Sequence, residues 1–93
     1  MKIQYSPEAI GDLIRIREFI EIKNPNAASR IAKSLKNGIS QLKVFPYLGN
    51  EVELAPDPKV IRDLYIGKYM ARYLLHSNDI YILRIWHQKE SRL

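Results

Sequence analysis

The chain has no cysteine. Disulfides, thiolate zinc sites, redox pairs and cysteine nucleophiles are therefore excluded. Its two histidines, His76 and His87, stand too far apart in sequence to form a recognisable metal-ligand spacing. Glycine is scarce, and neither Gly38 nor Gly49 belongs to a phosphate-binding loop or precedes a lysine–serine signature. The serines have no readable base partner. No apolar run approaches the roughly 18 residues that a membrane span needs, and the first six residues lack the apolar core of a signal peptide. There is no repeat and no low-complexity tract. These absences lead us to expect a cytoplasmic protein with no membrane partner, no metal and no cofactor.

What is present is enough for one domain. Ninety-three residues, 46% of them hydrophobic, bury a modest core without staples but not two independent cores, so a single domain over 1–93 is expected. Lysine and arginine total 15 against 10 acidic residues, a net charge of +5. Such a balance favours acidic or polyanionic partners. The charge is uneven: residues 1–58 carry 8 basic and 7 acidic side chains, whereas 59–93 carry 7 and 3. By this division an anionic partner belongs on the C-terminal third.

Patterning gives the order of elements. Lys2-Ile3-Gln4-Tyr5 alternates as a short strand. Ser6-Pro7-Glu8 reads as a helix start, with Ser6 as N-cap, Pro7 at the first helical position and Glu8 favoured by the dipole. Ala9, Leu13, Ile16 and Ile20 form an apolar stripe that Ile10 and Ile14 widen. Glu8, Asp12, Glu18 and Glu21 are expected on the solvent face of this helix. It should end near Lys23, because Asn24-Pro25 disfavours further helix. A second helix, capped by Asn24 or Asn26, carries the stripe Ala28, Ile31, Ala32, Leu35, Ile39 and Leu42 and is expected to run toward Pro46. So short a connection makes the helices antiparallel neighbours. A long loop follows to Pro58, with a short extended stretch expected at 52–54. Strands are expected over 60–65, 69–76 and 80–87, joined by turns at Ile66-Gly67-Lys68 and Ser77-Asn78-Asp79. The fold class is α+β: β-α-α-β-β-β, a helical hairpin on a largely antiparallel sheet.

The strands carry the candidate site. Period-two reading groups Ile80, Ile82, Arg84 and Trp86 against Tyr81, Leu83, Ile85 and His87. In the strand before it, Tyr69, Ala71, Tyr73 and Leu75 oppose Met70, Arg72, Leu74 and His76. Pattern alone does not say which face meets the helices. Arg62, Arg72 and Arg84 lie on three successive strands among tyrosines and Trp86, which suits either a surface for acidic groups or ordinary strand composition. His87 ends the last strand and opens a polar tail over 88–93 that contains Lys89 and Arg92. An imidazole beside cations suits general-base cleavage of RNA, and a strand-end histidine bonded to backbone is the plainer alternative.

Taken in order, Ser6-Pro7-Glu8-Ala9, Asp12-Leu13, Asn24-Pro25, Phe45-Pro46-Tyr47-Leu48-Gly49, Arg62-Asp63-Leu64, Tyr69 with Tyr73, and Ile82-Leu83-Arg84-Ile85-Trp86-His87 resemble the RelE/ParE superfamily of type II toxin–antitoxin toxins. The likeness covers nearly the whole chain and is closest to the ParE-like branch. It implies a plasmid-stabilising or growth-inhibiting toxin that forms a hetero-oligomeric complex with a cognate acidic antitoxin. It further implies inhibition of DNA gyrase by protein binding, with Arg62, Arg72, Tyr73, Arg84, Trp86, His87, Lys89 and Arg92 as the target- or antitoxin-contact surface. The RelE-like alternative is a metal-independent endonuclease of messenger RNA on the ribosome, with His87 as base and Arg62, Arg72 and Arg84 on phosphates. Ribonucleolytic members commonly carry an arginine directly after the tyrosine that matches Tyr69, where this chain has Met70. The lysine-rich third strand of some ribosome-dependent members is replaced here by one carrying Arg62 and Asp63. Both departures favour the gyrase reading.

Overall fold

Strand β1 (Lys2–Tyr5) leads into helices α1 (Pro7–Lys23) and α2 (Pro25–Ser40) and a 3-10 turn at Gln41–Lys43. Strands β2 (Asn50–Glu51), β3 (Ile61–Ile66), β4 (Tyr69–His76) and β5 (Asp79–His87) complete the chain. The computed structural model describes residues 1–90.

Local chemistry sets the helix ends. Ser6 is extended, and its hydroxyl accepts from the Ala9 N–H at 3.0 Å, with Pro7 filling the first helical position. Asn24 serves both helices. Its N–H donates to the Ile20 carbonyl at 2.8 Å, and its side chain accepts from Ala27 N–H at 3.1 Å. A single residue thus reverses the chain and leaves α1 and α2 packed side by side. Helix α2 stops earlier than its stripe suggests. The Gln41 N–H reaches back to both Gly38 and Ile39, so the last turn tightens, and Leu42 enters the core from the 3-10 turn. Gly38 lies where α2 crosses β3: a Cβ there would come within 2.9 Å of the Ile66 side chain.

The sheet runs β1-β5-β4-β3-β2, antiparallel except for the parallel β1–β5 pair. The two helices pack on one face around Ala9, Ile16, Leu35, Ile39, Leu42, Ala71, Tyr73, Ile80, Ile82 and Ile85. Strand β4 follows its alternation, with Ala71, Tyr73 and Leu75 inward. Strand β5 does not. Arg72 pairs with Arg84 but Tyr73 pairs with Ile82, so Leu83 is an extra residue in a β-bulge. The bulge shifts parity, and Ile85 joins Ile80 and Ile82 in the core while Trp86 turns to the face of its partner Met70. The expected grouping of Ile80, Ile82, Arg84 and Trp86 is corrected accordingly.

The bulge lies where β1 ends. β1 pairs with β5 only from Asp79 to Ile82. Beyond that point α1 takes over the strand edge. Ser6 N–H donates to Ile82 at 2.9 Å, the Ser6 hydroxyl donates to Leu83 at 2.9 Å, and Asp12 accepts from Ile85 N–H at 2.8 Å. Asp12 is therefore 4% exposed rather than on the solvent face. Conversely Ile10 and Ile14, expected to widen the core stripe, are about half exposed, because the sheet already occupies the opposite flank of α1. The short strand in the long loop forms at Asn50–Glu51, not at 52–54, against Asp63 and Arg62. Among the described residues no helix is long and apolar enough to cross a membrane.

Candidate functional site

The three strand arginines have different surroundings. Arg62 points to the helix side of β3 and binds the loops on both sides of β2. It donates to the carbonyls of Lys59 at 3.0 Å, Tyr47 at 3.3 Å and Gly49 at 2.7 Å, and its guanidinium lies 4.9 Å from the Tyr47 ring. Arg72, on the open face of the sheet, makes a bidentate pair with Asp63 at 2.8 and 2.9 Å and covers the Trp86 ring at 5.2 Å. The hydrogen bonds it donates to Asp63 raise the guanidinium pKa further, outweighing desolvation. Arg84 makes a second bidentate pair, at 2.8 and 3.1 Å, with the buried Asp12. Burial alone would raise the Asp12 pKa. Hydrogen bonds from Arg84 and the Ile85 N–H, with the charges of Arg84 and Arg15, outweigh it and hold the carboxyl below its ordinary value.

Tyr73 is fully buried. Its hydroxyl donates to the Pro46 carbonyl at 2.8 Å and accepts from Gly49 N–H at 2.9 Å, and burial pushes its pKa up. A Cβ at Gly49 would meet Tyr73 and the Asp63 carbonyl at 2.8 Å, so glycine is what lets the loop approach this closely. Tyr73 thus ties the loop to the sheet and presents no surface in this conformation.

His87 packs edge-on against Tyr69, with ring centroids 5.1 Å apart. Burial first, then the Glu90 charge, raises the Tyr69 pKa. The His87 Nδ1 accepts from the Lys89 N–H at 3.0 Å. A backbone N–H can only donate, so in the neutral ring the proton sits on Nε2 and the basic lone pair is turned toward the chain itself. His87 borders a cleft of about 430 Å³ between α1 and the end of β5, with Arg15, Ile16, Phe19, Tyr69, Lys89 and Glu90. Glu90 bridges its walls: it pairs with Arg15 at 3.0 Å and accepts from the His87 N–H at 2.9 Å.

The structure therefore brings Arg72, Arg84 and Trp86 together on neighbouring strands, and His87 with Lys89 at the strand end. It leaves Tyr73 in the core and Arg62 on the other face. Arg62 pairs with Tyr73 whereas His87 pairs with Tyr69, a separation of about 13 Å along β4 alone. The cleft that His87 borders holds none of the three strand arginines among the described residues. Arg92 lies outside the described residues.

Sequence reasoning missed Asp12, Arg15, Phe19 and Glu90. Only Asp12 left a signal, a carboxylate at position i−4 from Ile16 and i+3 from Ala9, inside the apolar stripe. It also missed that residues 24–50 carry Arg30, Lys33, Lys36 and Lys43 with no acidic side chain at all. A finer charge window would have found that stretch.

A family model described as the ParE toxin of the type II toxin–antitoxin system parDE matches residues 3–92. The chain belongs to the ParE toxin family. Among solved structures it is similar to the chromosomal ParDE toxin–antitoxin system of Pseudomonas aeruginosa, at TM-score 0.79 and 20% identity, over 94% of this chain and 95% of that one. It is similar also to the RelBE2 toxin–antitoxin complex of Mycobacterium tuberculosis, at TM-score 0.64 and 16% identity, over 92% and 95% of the two chains. A conserved hypothetical protein from Helicobacter pylori shares the fold at TM-score 0.57 and 12% identity over 97% of both. At such identities these structures establish the ParE/RelE fold. No curated protein matches the chain.

Proposed function

We propose that this ParE-family toxin arrests growth by binding DNA gyrase, and that a cognate acidic antitoxin neutralises it in a hetero-oligomeric, cytoplasmic complex. The observation that carries the reading is the commitment of the groups a ribonuclease would need. The His87 lone pair faces the Lys89 N–H. Arg72 and Arg84 are each held by a carboxylate, and Arg62 by backbone carbonyls. A base and phosphate clamps must meet the same substrate, and here they do not converge. Exposed apolar side chains instead flank the core stripe of α1 on both sides. Ile14, Phe19 and Ile22 are 53%, 66% and 86% exposed, which suits contact with another protein.

The test is supercoiling by gyrase titrated with the purified toxin, with and without antitoxin, scoring relaxed and linear DNA. Inhibition with accumulated linear DNA, reversed by antitoxin, is the expected result. His87→Ala should leave that inhibition within about threefold, whereas loss of a general base would cost roughly 10²–10⁴ in rate. No effect on gyrase by protein that is folded and arrests growth would overturn the reading. Cleavage of ribosome-bound messenger abolished by His87→Ala would replace it.

A further inference from the structure

The long loop between α2 and β3 is acidic in a basic protein. Residues 44–58 carry Glu51, Glu53 and Asp57 and no basic side chain, whereas residues 24–43 carry Arg30, Lys33, Lys36 and Lys43 and no acidic one. At the tip of the loop the Ala55 N–H donates to the Val52 carbonyl at 3.0 Å, closing a turn whose corners are Glu53 and Leu54. The turn is anchored at both ends. The Val52 N–H donates to the Ile61 carbonyl at 3.2 Å, and the Asp57 carbonyl accepts from the Val60 and Ile61 N–H groups at 3.2 and 3.1 Å. Leu54 is thereby left 98% exposed, more than any other large apolar side chain among the described residues. Of the carboxylates flanking it in sequence, Glu51 pairs with Arg62 at 3.6 Å, and among the described residues Glu53 and Asp57 take part in no ion pair. The seam between the helices has the converse character. A cleft of about 330 Å³ between α1 and α2 is lined by Leu13, Ile31, Ala32 and Leu35, and its charged borders among the described residues are Arg17, Lys33 and Lys36. Neither lysine takes part in an ion pair among those residues, and Arg17 meets the exposed Glu21 at 3.4 Å.

We propose that these two features meet between copies of this chain: the Glu53-Leu54 tip of one copy enters the α1–α2 cleft of another. Leu54 lies among the apolar side chains of the cleft, and Glu53 and Asp57 turn toward Lys33 and Lys36. Every copy carries both halves of the contact, and each half supplies what the other lacks: an apolar group among carboxylates against an apolar cleft among cations. The contact is heterologous, tip to cleft, so one copy can give its tip while it receives another. A nucleic acid would be repelled by the carboxylates of the tip, and a basic protein of another kind would leave the cleft unused. The assignment is independent of the toxin's target.

The test is the weight-average mass of the purified full chain by sedimentation equilibrium at about 0.15 M salt. One leucine and a few charges make a small contact, so a dissociation constant between about 10 μM and 1 mM is expected. The mass of the native chain should accordingly climb above that of a monomer between about 10 and 500 μM. Leu54→Asp should stay monomeric over that range, and so should the double substitution Lys33→Glu with Lys36→Glu. All three positions are exposed, so the melting temperatures should stay within about 3 °C of the native value. The deciding sample is the equimolar mixture of the two variants. Leu54→Asp keeps an intact cleft and the lysine variant keeps an intact tip, so the mixture should regain association and stop at pairs. The proposal is overturned if the native chain stays monomeric or if either variant alone associates as the native chain does. It is equally overturned if the mixture stays monomeric, which would make the native association symmetric or unspecific.

Discussion

The Asp12 carboxylate serves two donors from β5, the Ile85 N–H and the Arg84 guanidinium, while it is almost wholly buried. Asp12→Ala leaves a buried N–H without an acceptor and frees a guanidinium that is 40% exposed and can rehydrate. The expected cost is about 2–3 kcal/mol, toward the low end for a broken buried pair. Asp12→Asn keeps an acceptor for Ile85 and should cost about 1 kcal/mol. The pH dependence follows from the lowered pKa. The unfolded carboxyl, near its ordinary 3.8, holds a proton more tightly than the folded one, so the contribution is complete above about pH 4 and is lost as pH falls through the folded value. Urea denaturation between pH 7 and pH 2 should show a steeper loss below pH 4 for the native chain than for Asp12→Asn. Parallel curves would separate Asp12 from the acid sensitivity. Its place inside the apolar stripe is the one mark the helix pattern carries, and that mark names no partner for a buried carboxylate. An acidic side chain between Ala9 and Ile16 reads as solvent-facing until the strand beside it is known to lack a partner.

At the scale of elements, the helices were legible because their signals are local. Ser6-Pro7 and Asn24-Pro25 place caps and first turns by short-range chemistry, and the structure uses each of these residues in that way. Asn24→Ala removes the acceptor for Ala27 N–H and should cost about 1 kcal/mol, read as a lowered urea midpoint at unchanged slope. A changed slope would mean that the hairpin itself had opened. The sheet was legible in its strands and turns but not in its faces. A period-two reading assumes an unbroken ladder, and the extra residue at Leu83 breaks it. That bulge answers to α1 and the end of β1, more than 70 residues away in sequence, so no window along β5 contains its cause. The loop before β3 shows the same limit. Its composition announces a loop, but the two-residue strand at Asn50–Glu51 depends on Arg62 and Tyr73 reaching across to hold Gly49.

Over the whole molecule, the useful quantity is which charges remain unpaired, not where charges are most numerous. The surplus in residues 59–93 pointed to a basic C-terminal surface. Three of its arginines are instead held by Glu51, Asp63 and Asp12, two of those carboxylates coming from earlier in the chain. Among the described residues the cations without ion-pair partners include Lys33, Lys36 and Lys43 on α2 and the turn after it, in a stretch free of acidic residues. Pairing converts charge into stability, whereas unpaired charge is left to steer an approaching acidic partner. The two roles predict opposite outcomes for superficially similar substitutions. Lys33→Gln with Lys36→Gln should leave the melting temperature within about 3 °C, as expected for surface changes near ±0.5 kcal/mol. If the antitoxin is acidic, as proposed, the same pair should slow its association severalfold at low salt and flatten the dependence on ionic strength. Arg72→Ala should do the reverse: it unpairs a half-buried Asp63 and uncovers Trp86, so it should lower stability by about 1–2 kcal/mol with little change in the association rate. Stopped-flow association at several salt concentrations, set beside thermal melts of the same proteins, separates the roles. If Arg72→Ala slowed association more than the lysine pair did, the steering field would lie on the sheet after all, and the simple count of charges along the chain would have been the better guide.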